Sequence, residues 1–174
     1  MSGDVEHWSA VAEEWLRWAR APDHDAFWAY RSAFGAFVGN GTGAALEVGC
    51  GEGRVARLLR ECGYCVTAAD PVELLLDAAR DSSSADHYAL AVANALPFAA
   101  EEFDLVVAYN VLMDIEELDP ALAEMRRVVR PTGTLVVSIV HPLVDRARLE
   151  VSGTDARLLY ETSYFGENKL FSID

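Results

Sequence analysis

The chain has 174 residues, 52% of them hydrophobic and 24% charged, which suits one domain with a single core. No apolar run approaches bilayer-spanning length, and the opening Met1-Ser2-Gly3-Asp4-Val5-Glu6 lacks the basic and apolar regions of a secretory leader, so a cytoplasmic protein is expected. A formal net charge of −14 repels phosphate backbones and argues against a nucleic-acid substrate.

Two helical patterns open the chain. Trp8, Val11, Ala12, Trp15, Trp18 and Ala19 recur at helical spacing, with Glu13, Glu14, Arg17 and Arg20 turned outward. Pro22-Asp23 breaks the run, and Phe27, Tyr30, Phe34 and Phe37 set up a second apolar face. Aromatic stripes of this kind are ordinarily core, yet Trp8, Trp15 and Trp18 crowd three indoles into a short span. Gly39-Asn40-Gly41-Thr42-Gly43 then connects to a strand.

Ala45-Leu46-Glu47-Val48 is that strand, and it runs straight into Gly49-Cys50-Gly51-Glu52-Gly53. Glycines let the backbone bend sharply and approach a ligand closely. The helix that follows, carrying Val55, Leu58 and Leu59, aims its N-terminal amides at the same place. A nucleotide-like ligand is expected there. A dinucleotide fingerprint needs a small residue where Arg54 stands, which disfavours a nicotinamide cofactor. Cys62-Gly63-Tyr64-Cys65 has the form of a redox pair, but Cys62 falls at the wrong end of a helix for thiolate stabilisation, so buried structural thiols are predicted.

Tyr64–Ala69 reads as a second strand ending in Asp70-Pro71. A carboxylate about 20 residues past a glycine turn suits the hydroxyls of a ribose. Asp70 also has the chemistry to cap the next helix (Leu74, Leu75, Ala78), with Pro71 at its first position. Tyr88–Val92 forms a third strand, followed by Ala93-Asn94-Ala95-Leu96-Pro97-Phe98, and Phe103–Leu112 a fourth. Asp119-Pro120 supplies a cap and first-turn proline for a helix bearing Leu122, Met125 and Val129 and stopped by Pro131-Thr132-Gly133. Arg126, Arg127 and Arg130 complement that helix's C-terminal dipole. Val128–Ser138 carries the last motif and its fifth strand. Alternation of strand and helix predicts an α/β fold with a mainly parallel sheet and helices on both faces.

Glu47, the G-x-G-x-G turn and the ordered succession of later segments resemble the class I S-adenosylmethionine-dependent methyltransferases of the type 11-like, small-molecule kind, over roughly residues 8 to 142. The resemblance implies a Rossmann-like domain, S-adenosylmethionine as cofactor, S-adenosylhomocysteine as product, and methyl transfer to a small molecule. Gly49, Cys50, Gly51 and Gly53 are implied to line the methionine part and Glu47 to orient its ammonium. Asp70 is implied to take the ribose, and Pro71 or Val72 to flank the adenine. Asn94, beside Ala95, stands where the family carries an aspartate. Its amide oxygen accepts a hydrogen bond from the adenine amine without charge assistance. Asn110 is implied to border the methionine end through its backbone. The N-terminal segment 1–40 is expected to lie over the cofactor as a lid, with Trp15 or Tyr30 touching it.

On the acceptor side, His141 after the fifth strand and Asp114 after the fourth are the candidate bases. No metal is expected. The whole chain reads as one domain, with a cofactor core at 44–142 and an irregular tail at 143–174. Only Leu158–Phe165 suggests a strand in that tail, so the family's C-terminal hairpin is expected to be incomplete and the fifth strand left as an open edge, which favours a homodimer. Two alternatives remain: a non-catalytic S-adenosylmethionine-binding protein or shortened methyltransferase, and a nicotinamide-dependent oxidoreductase.

Overall fold

In the computed structural model, residues 3–21, 26–140, 147–152 and 155–160 are described. The chain divides into two compact units, Met1–Ser138 and Ile139–Asp174, where the sequence suggested one domain with a tail.

The first unit opens with α1 (Gly3–Arg20) and α2 (Ala26–Val38). Five parallel strands follow: β1 (Ala44–Val48), β2 (Cys65–Asp70), β3 (His87–Leu90), β4 (Phe103–Tyr109) and β5 (Val129–Ser138), in the order β3-β2-β1-β4-β5. Between them lie α3 (Arg54–Glu61), α4 (Glu73–Asp81) and α5 (Leu118–Val128). Each strand's alternation sends side chains to opposite faces. Ala45, Leu105 and Val107 pack with Val55, Leu59 and Leu76 of α3 and α4 and with Phe27 of α2. Leu46, Val48, Val106 and Ala108 pack on the other face with Ala121, Met125 and Val128 of α5. The expected helices on both faces are present. A third cluster joins Ala12 of α1 to Val72 and Leu75.

Several local expectations are corrected. Phe27, Phe34 and Val38 form the inward face of α2, while Tyr30 and Phe37 are 64% and 75% exposed. Steps of seven and four keep one helical face, and 30 and 37 fall off it. Trp18 is exposed. Asp119 and Pro120 sit within the first turn of α5, whose N-cap is Glu117. Val129 does not continue the helix: the chain is already extended there, before Arg130-Pro131 forbids further helix. Register then jumps from Phe103↔Val129 to Leu105↔Thr134, which accommodates Pro131-Thr132-Gly133 inside the strand. Pro71 precedes α4 rather than opening it, since Val72 is the N-cap. Among the thiols only Cys50 is buried; Cys62 is half-buried and Cys65 exposed, and all three are free.

The second unit corrects the irregular tail. β6 (Ala147–Ser152) and β7 (Asp155–Tyr160) form an antiparallel hairpin, with Leu149 opposite Leu158 and Glu150 opposite Arg157 in register. Each strand is too short to announce itself by periodicity, and it is their mutual pairing that defines them.

Among the described residues, no helix is long and apolar enough to cross a membrane.

Candidate cofactor site

Strand β1 lies at the centre of the sheet, and its C-terminal end meets the ends of β2 and β4, with Val48 beside Ala69 and Glu47 beside Val107. Ligands of open α/β sheets collect at such an edge. The glycine turn is pinned to β2: the N–H groups of Gly49 and Cys50 both donate to the Ala69 carbonyl, at 2.8 and 3.0 Å. At Gly51 φ is +53° and an added Cβ would lie 2.6 Å from Cη2 of Trp15, so no larger residue fits between the turn and α1. Gly53 serves packing instead. Its φ of +82° caps α3, and a Cβ there would strike Ser84 at 2.3 Å.

Glu52, the charged residue inside the turn, points away from the cavity. Its carboxylate receives two hydrogen bonds from Arg57 at 2.9 and 2.8 Å, while Arg57 also reaches the Glu52 carbonyl and the buried Ser84 hydroxyl at 3.0 and 2.6 Å. The turn is therefore braced from behind by a bidentate ion pair.

Two carboxylates line the cavity from adjacent strands. Asp70, at the end of β2, accepts the Gly51 N–H on Oδ2 at 2.8 Å and the Val72 N–H on Oδ1 at 2.9 Å. Burial pushes its pKa up to about 6 against those two hydrogen bonds. Glu47, in β1, is 2% exposed, and its Oε2 has no hydrogen-bond partner. Burial, aided by the Asp70 and Glu52 charges, holds Glu47 well above the usual carboxylate range, opposed by a backbone hydrogen bond from Ala56 and by Arg54. An orphaned buried carboxylate oxygen is costly unless something donates to it.

These groups surround a cavity of about 290 Å³. It brings together Glu47, Gly49, Cys50, Gly51, Asp70, Pro71, Asn94, Asn110, Trp15 and Asp114, all expected from the sequence. Gly53 and the exposed Ala95 do not line it. Tyr30 is likewise outside it. His141 lies outside the described residues. The Asn94 side-chain amide donates to Glu117 at 2.8 Å. Asn110 adopts φ +51°, donates its N–H to the Ser138 carbonyl at 2.8 Å, and accepts the Ser138 hydroxyl on Oδ1 at 2.9 Å. Burial, with the Glu47 and Asp70 charges, raises the Cys50 thiol, which makes it a poor nucleophile. Burial also raises Asp114, opposed by His7.

Sequence reading missed the contribution of α1 beyond Trp15. Asp4, Val5, Trp8 and Trp18 also line the cavity. The helix is fastened near its start by the Glu116 N–H donating to Asp4 at 3.4 Å and at its end by Arg20 donating to the Ala78 carbonyl at 3.4 Å. In the sequence Arg54 stands out only for its bulk. Its guanidinium lies over the rings of Trp15 and Phe27, at 5.5 and 5.2 Å, and it too lines the cavity. No local pattern signals these partners, because they come from distant chain segments.

A family model described as "Methyltransferase domain" matches residues 46–137, from the central strand through β5. The chain belongs to the class I S-adenosylmethionine-dependent methyltransferases. This methyltransferase domain is 44% identical over 92 residues to a malonyl-[acyl-carrier protein] O-methyltransferase of Salmonella typhimurium, a match covering 53% of this chain and 37% of that protein. A protein of the same name from Enterobacter lignolyticus is 39% identical over 90 residues, covering 52% and 36%. The chain thus spans little more than a third of these relatives' length. A solved S-adenosylmethionine-dependent methyltransferase from Mesorhizobium loti superposes with a TM-score of 0.61 at 22% identity, covering 80% of this chain and 70% of that one, and shares its fold. S-adenosylmethionine is the cofactor of the family.

Proposed function

We propose that the cavity holds S-adenosylmethionine and that the domain transfers its methyl group to a small molecule. The observation that carries this reading is the Glu47 carboxylate oxygen, buried, without a partner, and lining the same cavity as Asp70 and the glycine turn. A primary ammonium supplies the missing donor, and ribose hydroxyls match the lone pairs that Asp70 retains after accepting two backbone N–H groups. The closeness of Gly51 to Trp15 supports a lid formed by α1 against the methionine part. Pro71 and Val72 suit the adenine faces, and Asn94 its edge.

When bound, the cofactor supplies a methyl group on a positively charged sulfur, already activated for transfer. The residues supply placement and dryness, and orientation alone contributes on the order of 7–11 kcal/mol in favourable cases. Asp114 is the described residue suited to take a proton from an acceptor, and His141 is the second candidate. The Salmonella relative's name gives malonyl-[acyl-carrier protein] as its acceptor, so malonyl thioesters belong in any acceptor panel. Free thiols suit a reducing, cytoplasmic setting. Within the first unit β5 ends the sheet, an edge that supports pairing of two copies.

Calorimetry tests the reading. Saturable heats with S-adenosylmethionine and S-adenosylhomocysteine, lost in Asp70→Ala and Gly51→Val, are expected. No heat with either, and a signal with a pyridine dinucleotide, would overturn it.

A further inference from the structure

From Asp70 toward β3 the cavity wall is apolar until it reaches Asn94. Val72 and Leu75 line it from the start of α4, and Ala91, Val92 and Ala93 from the segment that leaves β3. That segment runs beside Asp70, because Leu90 pairs with Asp70 in register and the Ala91 N–H donates to the Asp70 carbonyl at 3.1 Å. A ribose held by Asp70 has this apolar stretch within reach of its base, and Asn94 is the polar side chain that ends the stretch.

Asn94 donates its Nδ2 group to Oε2 of Glu117 at 2.8 Å. An ionised carboxylate only accepts hydrogen bonds, so this contact fixes which way the amide is turned: NH2 toward Glu117, Oδ1 away from it. Among the described residues, none donates to that Oδ1. Glu117 is the N-cap of α5, yet it makes no side-chain cap hydrogen bond. Its carboxylate serves Asn94 rather than its own helix. The backbone that follows Asn94 is held separately. Arg127 donates to the Phe98 and Leu96 carbonyls at 2.8 and 3.0 Å, and the Leu96 N–H donates to Glu124 at 2.9 Å. Residues of α5 and its cap thus fix both the path of the loop and the rotation of the amide on it.

Resting on the cofactor reading above, we propose that Glu117 is a positioning residue for base recognition. By holding the Asn94 NH2, it presents Oδ1 to the cofactor's base as an acceptor. Adenine offers an amino donor to that oxygen and is taken. Hypoxanthine offers a carbonyl oxygen instead, two acceptors then meet, and it is turned away. An unconstrained asparagine would flip and serve either base, because the two ends of its amide have nearly the same shape. A carboxylate in its place would need no such constraint. The neutral side chain reads in one direction because Glu117 occupies its donor end.

Calorimetry on the full chain compares the dissociation constants of S-adenosylhomocysteine and its deaminated counterpart, S-inosylhomocysteine. The parent should prefer the adenosyl compound about tenfold or more, the scale of one hydrogen bond made against one opposed. Glu117→Gln, which still offers an oxygen acceptor, should keep most of that preference. Glu117→Lys offers only donors. Asn94 should then turn its oxygen to the ammonium and its NH2 to the base, and the inosyl compound should bind at least as tightly as the adenosyl one. Adding Asn94→Asp to Glu117→Lys should restore the adenosyl preference, since a carboxylate has no donor end to present. A general loosening of the fold weakens both compounds and leaves their ratio in place. An unchanged ratio in Glu117→Lys, whatever the absolute affinities, overturns the proposal, as does a parent that binds both compounds equally. A parent that binds neither overturns the cofactor reading as well, which separates the two failures.

Discussion

Replacing Glu47 by Gln isolates the orphaned oxygen at the floor of the site. The two side chains have nearly the same shape, and the amide keeps an oxygen for the Ala56 N–H. What is lost is a charge-assisted hydrogen bond to the cofactor's ammonium, of about 1.5–3 kcal/mol. At about 1.4 kcal/mol per decade, the dissociation constant for S-adenosylmethionine should rise roughly 10- to 150-fold. Stability of the ligand-free protein should move the other way. The folded-state pKa of Glu47 is raised above its unfolded value, so its contribution is fully present below the unfolded pKa and is lost as pH rises through the folded one. Gln has no such loss. The melting temperature of Glu47→Gln should therefore match that of the parent in acid and exceed it increasingly toward alkaline pH. Calorimetric titration at pH 8 and a thermal melt series from pH 5 to pH 9 measure both arms. An unchanged affinity, or a variant that melts lower than the parent at every pH, refutes the reasoning.

Asp70 should make cofactor binding pH-dependent: the ionised carboxylate is the better acceptor for ribose hydroxyls, so affinity should climb as pH rises through about 6 and then level off, by calorimetry from pH 5 to pH 8. The same raised pKa makes its own contribution to ligand-free stability fall as pH rises from the ordinary carboxylate range to about 6, and level off above it. Gly51→Ala, at φ +53° and with Trp15 in the way, should cost about 1–2 kcal/mol from the backbone alone and shift tryptophan emission; adding Trp15→Ala should recover the part due to collision and leave the backbone part. Arg57→Ala leaves the buried Glu52 carboxylate without its two hydrogen bonds and should destabilise the domain by about 3 kcal/mol, read as a drop in melting temperature, with Glu52→Gln in the same background restoring part of it.

The parallel core and one wall of the site were legible because their signals are local. β1, the glycine turn and α3 follow one another without interruption, and Asp70 ends the next strand, so strand period and turn chemistry placed Glu47, Gly51 and Asp70 at one sheet edge. What stayed hidden depends on tertiary contact. Asp4 and Trp18 join the cavity only because α1 docks on residues far along the chain. Tyr30 and Phe37 looked like core by type, but α2 offers the sheet one narrow face, centred on Phe27, Phe34 and Val38. Val129 has the spacing of the helix it follows and the backbone of a strand, because Pro131 decides the matter from two residues away. The β6–β7 hairpin is invisible strand by strand and plain once the two are read as a pair.

Helix α1 has nothing to hold until much later in the chain. Its anchors at Ala78 and Glu116 lie 58 and 112 positions from Arg20 and Asp4. Closing such long loops is slow relative to the sequential growth of the sheet. Helix α1 should therefore settle onto an assembled core, and the pocket should come into being as the last event of folding rather than its organiser. Ligand would then act as a clasp on a finished protein, raising its resistance to unfolding without hastening its birth.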